Sequence, residues 1–268
     1  MAGAAQALAR LREVKRHMAS RLTNPTEAAP SEWTRFLTDA HDVSRVAHGP
    51  RGQGNLMVHL CSVYANLQAH HRCSRPVQAA GLFHSVYGTE GFQGASLPLD
   101  RRRDIQALIG PEAELLAFAN CVMDRESFDR LIVQCSKDSA KLHGFYRLQT
   151  RAEYAAAVEV PLTIELTRQQ LLDLARVHLA DWADLVASYN LWYYRREQYA
   201  AIADLLGGTF KAEHTAVLAN QPADITAKNS DLPEMVAARR FGLFHDVQNG
   251  VLPYDTLRQI IADKKPRA

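Results

Sequence analysis

The sequence predicts an all-α protein. Apolar residues recur at three- and four-residue spacing through most of the chain, the period of helices with one buried face. Glycine and proline cut this pattern into helix-length pieces, around 23–30, 48–54, 88–91, 110–111 and 207–208. Only Val158-Glu159-Val160-Pro161-Leu162-Thr163-Ile164 reads as extended, inside a segment 142–166 that is expected to be an excursion from the helices.

Residues 3–22 place Leu8, Leu11, Val14 and Met18 at helical spacing, and Thr23-Asn24-Pro25 ends this helix before a linker to Pro30. Ser31 is expected to cap a second helix carrying Trp33, Phe36 and Leu37. His48-Gly49-Pro50-Arg51-Gly52-Gln53-Gly54 reads as a loop without regular structure. Asn55 then caps a helix with Leu56, His59, Leu60, Val63, Tyr64 and Leu67 on its apolar face. Pro76 suits the first turn of the next helix, which stays small and apolar to Phe83. The polar pair His84-Ser85 interrupts it, and Gly88 and Gly91 break it into a loop. A buried imidazole needs hydrogen-bond partners. His84 is therefore either a satisfied core histidine or a group pointing into a cavity.

Further along, Asp100 caps a helix over 101–109, Gly110-Pro111 punctuates it, and 112–123 is strongly apolar. Helical character continues over 124–141 with more polar residues. Thr167 caps a long helix that turns Leu171, Leu174, Ala175, His178, Asp181, Trp182 and Leu185 inward. A helix over 191–206 carries Trp192, Tyr193 and Tyr199, and Gly207-Gly208 ends it.

At 268 residues, 47% hydrophobic and 22% charged, the chain has an ordinary globular composition and can bury a substantial core. Its 31 basic and 29 acidic residues nearly balance, which argues against nucleic-acid binding. No apolar run reaches the roughly 18 residues of a membrane span. Arg10, Arg12, Lys15 and Arg16 stand where a signal peptide needs its apolar stretch. Cys61, Cys73, Cys121 and Cys135 form no Cys-x-x-Cys pair and read as packed, reduced thiols. A soluble cytoplasmic protein acting on a small molecule is expected, and a homodimer is left open.

Three segments put metal-ligating residues amid apolar ones: Val58-His59-Leu60, Ala80-Gly81-Leu82-Phe83-His84, and Leu179-Ala180-Asp181. The two histidines lie 25 positions apart. The order and spacing resemble the HD-domain superfamily of metal-dependent helical enzymes. That family carries a histidine, then a His-Asp pair about two dozen residues later, then a distant aspartate on a helix. The segment Asp104 to Leu116 also resembles the stretch after the pair in alarmone-hydrolase-like members, and the resemblance covers roughly residues 40–200. It implies an HD-domain-like helical bundle with extra N- and C-terminal helices. The N-terminal helix and linker would occupy 1–30, the metal-binding core 31–206, and a C-terminal helical extension 207–268. It also implies His59, His84 and Asp181 as ligands of one divalent ion: iron, manganese, zinc or cobalt.

The family's paired aspartate is Ser85 here, and a neutral hydroxyl is a poor substitute for a carboxylate shared by two metals. One ion is therefore expected. Glu90 is either a solvated loop carboxylate or a general base that supplements the site. His178, one turn before Asp181, is a buried structural histidine or a group that joins the metal shell or a ligand. Glu90 and His178 are thus the catalytic candidates. His48 is placed at the entrance, Arg125 is a substrate contact or half of an ion pair with Asp124, and His143 is a substrate candidate or, as the resemblance implies, the extra histidine that oxygenase-like members use for a second metal. Arg101-Arg102-Arg103 reads as a solvated face. Phe244-His245-Asp246 is a literal His-Asp pair, but only 22 residues follow it, too few for the distant aspartate helix. Three functions remain open: a metal-dependent hydrolase of a small polar or phosphorylated metabolite, a mononuclear non-haem iron oxygenase, and a non-catalytic helical module.

Overall fold

Gly81 sets a close helix contact. A Cβ there would overlap Leu67 Cδ1 and press on Val63 Cγ1 at 3.3 Å. Only glycine lets helix α3 (Arg75–Phe83) lie this near helix α2 (Leu56–Ala69). The computed structural model describes residues 28–40, 47–48, 54–69, 71–90, 97–137, 144–154, 157, 160–189 and 195–220. The helix expected over 3–22, the aromatic residues Trp192 and Tyr193, His143 and the Phe244-His245-Asp246 pair lie outside them.

Among the described residues the chain is mostly helical, with two small two-stranded antiparallel ladders. Helix α1 (Ser31–Arg35) runs into a wider turn, Phe36–Ala40, and buries Trp33 and Leu37. Pro30 occupies its N-cap position without a side-chain bond. Ser31 lies inside the first turn, where its carbonyl accepts a hydrogen bond from Thr34 Oγ1. The expected Ser31 cap is thus displaced by one residue, because Pro30 already holds extended backbone with φ near −49° and ψ near 132°. The ends of the glycine-rich segment are also more ordered than composition suggests. Strand β1 (Ala47–His48) pairs with β2 (Gly54–Asn55), so a short ladder closes that loop.

After α3 come α4 (Arg102–Ile109), α5 (Pro111–Val122) and α6 (Arg125–Lys137). Gly110 separates α4 from α5 at φ +88°, a conformation that a side chain would oppose, and Pro111 starts the next helix. Arg102 is not a solvated member of its arginine run. Its guanidinium donates to both oxygens of the fully buried Glu114 at 2.7 and 2.9 Å and lies 3.4 Å over the ring of Phe118. Gln106 Nε2 and Tyr87 OH also donate to Glu114, so that carboxylate ties α4 and the turn after α3 to α5. Helix α6 opens on a side-chain cap, with Ser127 N donating to Asp124 Oδ2 at 2.8 Å.

The excursion at 142–166 resolves into a hairpin. Strand β3 (Phe145–Gln149) pairs with β4 (Thr163–Thr167), Phe145 opposite Thr167 and Gln149 opposite Thr163. Alternation buries Tyr146, Leu148, Ile164 and Leu166, while Arg147 and Glu165 form a cross-strand ion pair outside. Thr167 then opens α7 (Arg168–Tyr189) with a capping box. Its Oγ1 accepts from Gln170 N at 3.3 Å, and Gln170 Oε1 accepts from Thr167 N at 2.8 Å. The aromatic helix expected over 191–206 is α8 (Arg196–Leu206), followed by α9 (Gly208–Ala219).

Helix α7 is buried on several sides, as its long apolar face requires. It packs against α2, α3, α5 and α8, and α2 and α3 also pack on each other. Trp182 of α7 stacks on Tyr199 of α8 and meets the ring of His214 of α9. That arrangement satisfies the aromatic faces as core. No helix among the described residues is long and apolar enough to cross a membrane.

Candidate metal centre

The close α2–α3 approach has a chemical consequence, since α2 carries His59 and α3 ends at His84. His59 falls on the buried stripe of α2 with Leu56, Leu60 and Val63. His84 is the first residue past α3 and is buried. Asp181 lies mid-way along α7, which touches both helices. One donor atom from each residue lies within 4.8 Å of the other two, and this is the one such group among the described residues. His59 Nε2 is 3.3 Å from His84 Nε2 and 3.2 Å from Asp181 Oδ1, and His84 Nε2 is 3.7 Å from the same oxygen. Donors about 2.1 Å from a metal stand about 3.0 Å apart at right angles and about 3.4 Å apart at the tetrahedral angle. The triangle is therefore close to a coordination face.

The outward side of each imidazole is held. His59 Nδ1 donates to Asp184 Oδ2 at 2.7 Å, and His84 Nδ1 donates to Gly81 O at 2.7 Å. Both rings thus turn Nε2 to the shared point, and a carboxylate or carbonyl on the other nitrogen is how ligating histidines are oriented. The carbonyl of His84, left over at the helix end, accepts from Asn120 Nδ2 at 2.7 Å and from the Cys121 thiol at 3.2 Å. Gly81 serves twice, as the close-contact residue and as the acceptor that orients His84.

Electrostatics favour a cation at this point. Burial alone would lower the basicity of His59, but hydrogen bonds to Asp181 and Asp184 outweigh it and raise its pKa to about 9. The ring then bridges the two acids as an imidazolium. Burial opposes ionisation of Asp181, yet the imidazoles of His84 and His59 and the guanidinium of Arg125 hold it well below the usual carboxylate range. Burial lowers His84, which stays neutral. Two imidazoles and one carboxylate, dry and already oriented, can hold a divalent metal ion in competition with a proton on His59.

The other sequence candidates take separate places. Ser85 is buried and its Oγ meets no hydrogen-bond partner. Glu90 is half-buried, and its Oε2 accepts from the backbone N–H of Arg125 at 3.1 Å, at the start of α6. That carboxylate supports a helix N-terminus and is not part of the ligand group. Arg125 is buried, with its charge near enough to weigh on Asp181, His84 and His178. His178 is fully buried and stacks on Phe128, centroids 4.7 Å apart. His48 sits in β1 by its backbone.

Asp184 and Asn120 are absent from the sequence reading. Asp184 had a usable signal, three residues after Asp181 and so on the same helical face. Asn120 had none, because only the packing of α3 on α5 brings its amide to the end of α3.

A family described as Domain of unknown function (DUF6817) matches residues 39–125. That span includes His59 and His84 but not Asp181, and it covers less than half of the chain. No curated protein and no solved structure matches.

Proposed function

We propose that the protein is a metal-dependent enzyme of the HD-like class, acting on a small polar or phosphorylated metabolite by hydrolysis. The carrying observation is the pair of Nε2 atoms turned to one point beside Asp181 Oδ1, each ring held from behind through Nδ1. Without a metal, a single proton on His59 Nε2 is shared between the lone pair of the neutral His84 Nε2 at 3.3 Å and Asp181 Oδ1 at 3.2 Å, so three donor atoms converge on a point that one divalent ion would fill. When bound, a divalent ion supplies Lewis acidity toward water or a substrate oxygen. The chain itself orients the donors through Asp184, Gly81 and Asn120 and surrounds them with apolar residues. Arg125 provides buried positive charge beside the donors.

A second reading, a mononuclear non-haem iron oxygenase, is favoured by one feature. The group contains a single carboxylate, and position 85 adds none.

Metal analysis of protein purified without added metal separates the two, followed by assay of chromogenic phosphate and carboxylate esters. Manganese, zinc or cobalt near one per chain, with turnover abolished in Asp181→Ala, supports hydrolysis. Iron with oxygen-dependent spectra supports the oxygenase. Failure of any of the four metals to bind would remove both.

A further inference from the structure

His84 stands where its helix stops holding it. In a continuing helix its carbonyl would accept from the N–H of Gly88. Instead Gly88 N donates to Ser85 O at 2.9 Å, and Gly88 turns to φ +79°. The place of His84 therefore depends on what the turn 84–88 is fastened to. It is fastened to α5 at two points. Asn120 Nδ2 and the Cys121 thiol donate to the carbonyl of His84 itself, and Tyr87 OH donates to Glu114 Oε1 at 3.1 Å. Glu114 and Asn120 stand about 9 Å apart along the axis of α5. One such pin would let the turn pivot, and two fix its direction. Glu114 is itself a rigid post, because each of its oxygens takes two donors: Tyr87 OH and Arg102 Nε on Oε1, Arg102 Nη2 and Gln106 Nε2 on Oε2. The buried Tyr87 ring is held as well, edge-on to Phe118 with centroids 6.3 Å apart. A turn that only had to be buried would be served by a phenylalanine ring, with no buried carboxylate to satisfy.

We propose that Tyr87, fastened to Glu114, is a positioning residue of the metal centre, fixing the turn that presents His84 Nε2 to the ion. The inference rests on the metal-site reading and extends it to a residue that touches neither ligand nor metal. Coordinating groups must be held within about 0.5 Å of their places, and partners behind the ligands set much of the affinity. Two supports share that task for His84. Gly81 O, accepting from Nδ1, sets the rotation of the ring. The two pins on α5 set the backbone from which the ring springs. Since the hydroxyl of Tyr87 faces an acceptor-only carboxylate, it must donate, which gives the hydrogen bond one direction and one geometry.

The test uses Tyr87→Phe, which removes one oxygen and keeps the ring against Phe118. Gln106→Met is the control, since it takes a donor from the same carboxylate but leaves the hydrogen bond of Tyr87 in place. Cobalt affinity, the visible absorption of the bound cobalt and thermal unfolding are measured, together with the His84 ring signals of the metal-free proteins by nitrogen-15 NMR. Tyr87→Phe is expected to bind cobalt about tenfold more weakly, with altered absorption and shifted His84 signals. Gln106→Met should melt a few degrees lower yet match wild type in affinity, absorption and His84 signals. Tyr87→Phe with the cobalt affinity and absorption of wild type would overturn the proposal. So would an equal loss of affinity in Gln106→Met, which would make the effect one of general stability. Wild-type protein that binds no cobalt removes the metal reading instead. The His84 signals then decide alone, shifted by Tyr87→Phe in support of the positioning role and unmoved against it.

Discussion

Metal and proton should compete for His59, and the structure sets how many protons are involved. In the metal-free protein His59 has a pKa of about 9, because Asp181 and Asp184 flank it. His84 is lowered and neutral at pH 7, and Asp181 is held low and ionised. Binding a divalent ion at pH 7 therefore displaces one proton, from His59 Nε2. The two-unit gap between pH 7 and about 9 makes the apparent affinity about a hundredfold weaker at pH 7 than on the plateau above pH 9. Stability has the opposite sign. The folded pKa lies above the unfolded value of 6.5, so the stabilisation is fully present below 6.5 and lost as pH rises through about 9. It is worth roughly 3 kcal/mol in the metal-free protein. Cobalt titration against a chromophoric chelator from pH 6.5 to 9.5 should give log affinity rising with a slope near one and then levelling. Calorimetry at pH 7 in buffers of different ionisation heat should count one proton released per ion. A slope of zero would mean that His59 is not the shared imidazolium, and a slope of two would mean that His84 is charged as well.

Three substitutions probe the supports of the site. Asp184→Asn removes the charge behind His59 Nδ1 and should weaken metal binding by about 10–100-fold while lowering the His59 pKa; NMR titration of the imidazole beside a chelator competition reads both. Gly81→Ala forces α2 from α3 at Leu67 and should cost about 1–3 kcal/mol by denaturant unfolding, with weaker metal binding because His59 and His84 ride on the separated helices. Ser85→Asp places a carboxylate at a buried position beside His84. It should lower the melting temperature of the metal-free protein and raise metal per chain above one, and unchanged stoichiometry by mass spectrometry would show that position 85 does not tune the site.

The helical class was legible because period and punctuation are local. The stripe from Leu56 to Leu67 and the capping box at Thr167 each depend on residues within a few positions of one another. His59, His84 and Asp181 stood out for the same reason, as polar residues interrupting apolar helical faces. The extended stretch around Ile164 was visible from its branched residues, but not its partner, because strand pairing is a contact over a long chain separation. Arg102 looked solvated from its neighbours, and only the fold brings Glu114 to it from the next helix.

What the sequence alone determined is the set of elements and the residue types each can bury, since propensity, capping and amphipathic period act over a turn or two. Tertiary structure decided which polar atoms meet. Asp184 behind His59, Asn120 and Cys121 on the carbonyl of His84, and Glu90 on the amide of Arg125 are contacts of 2.7–3.2 Å between different elements. Their formation depends on how closely helices approach and how they are rotated about their axes. No local pattern encodes that rotation, because it is the packing of whole faces that sets it.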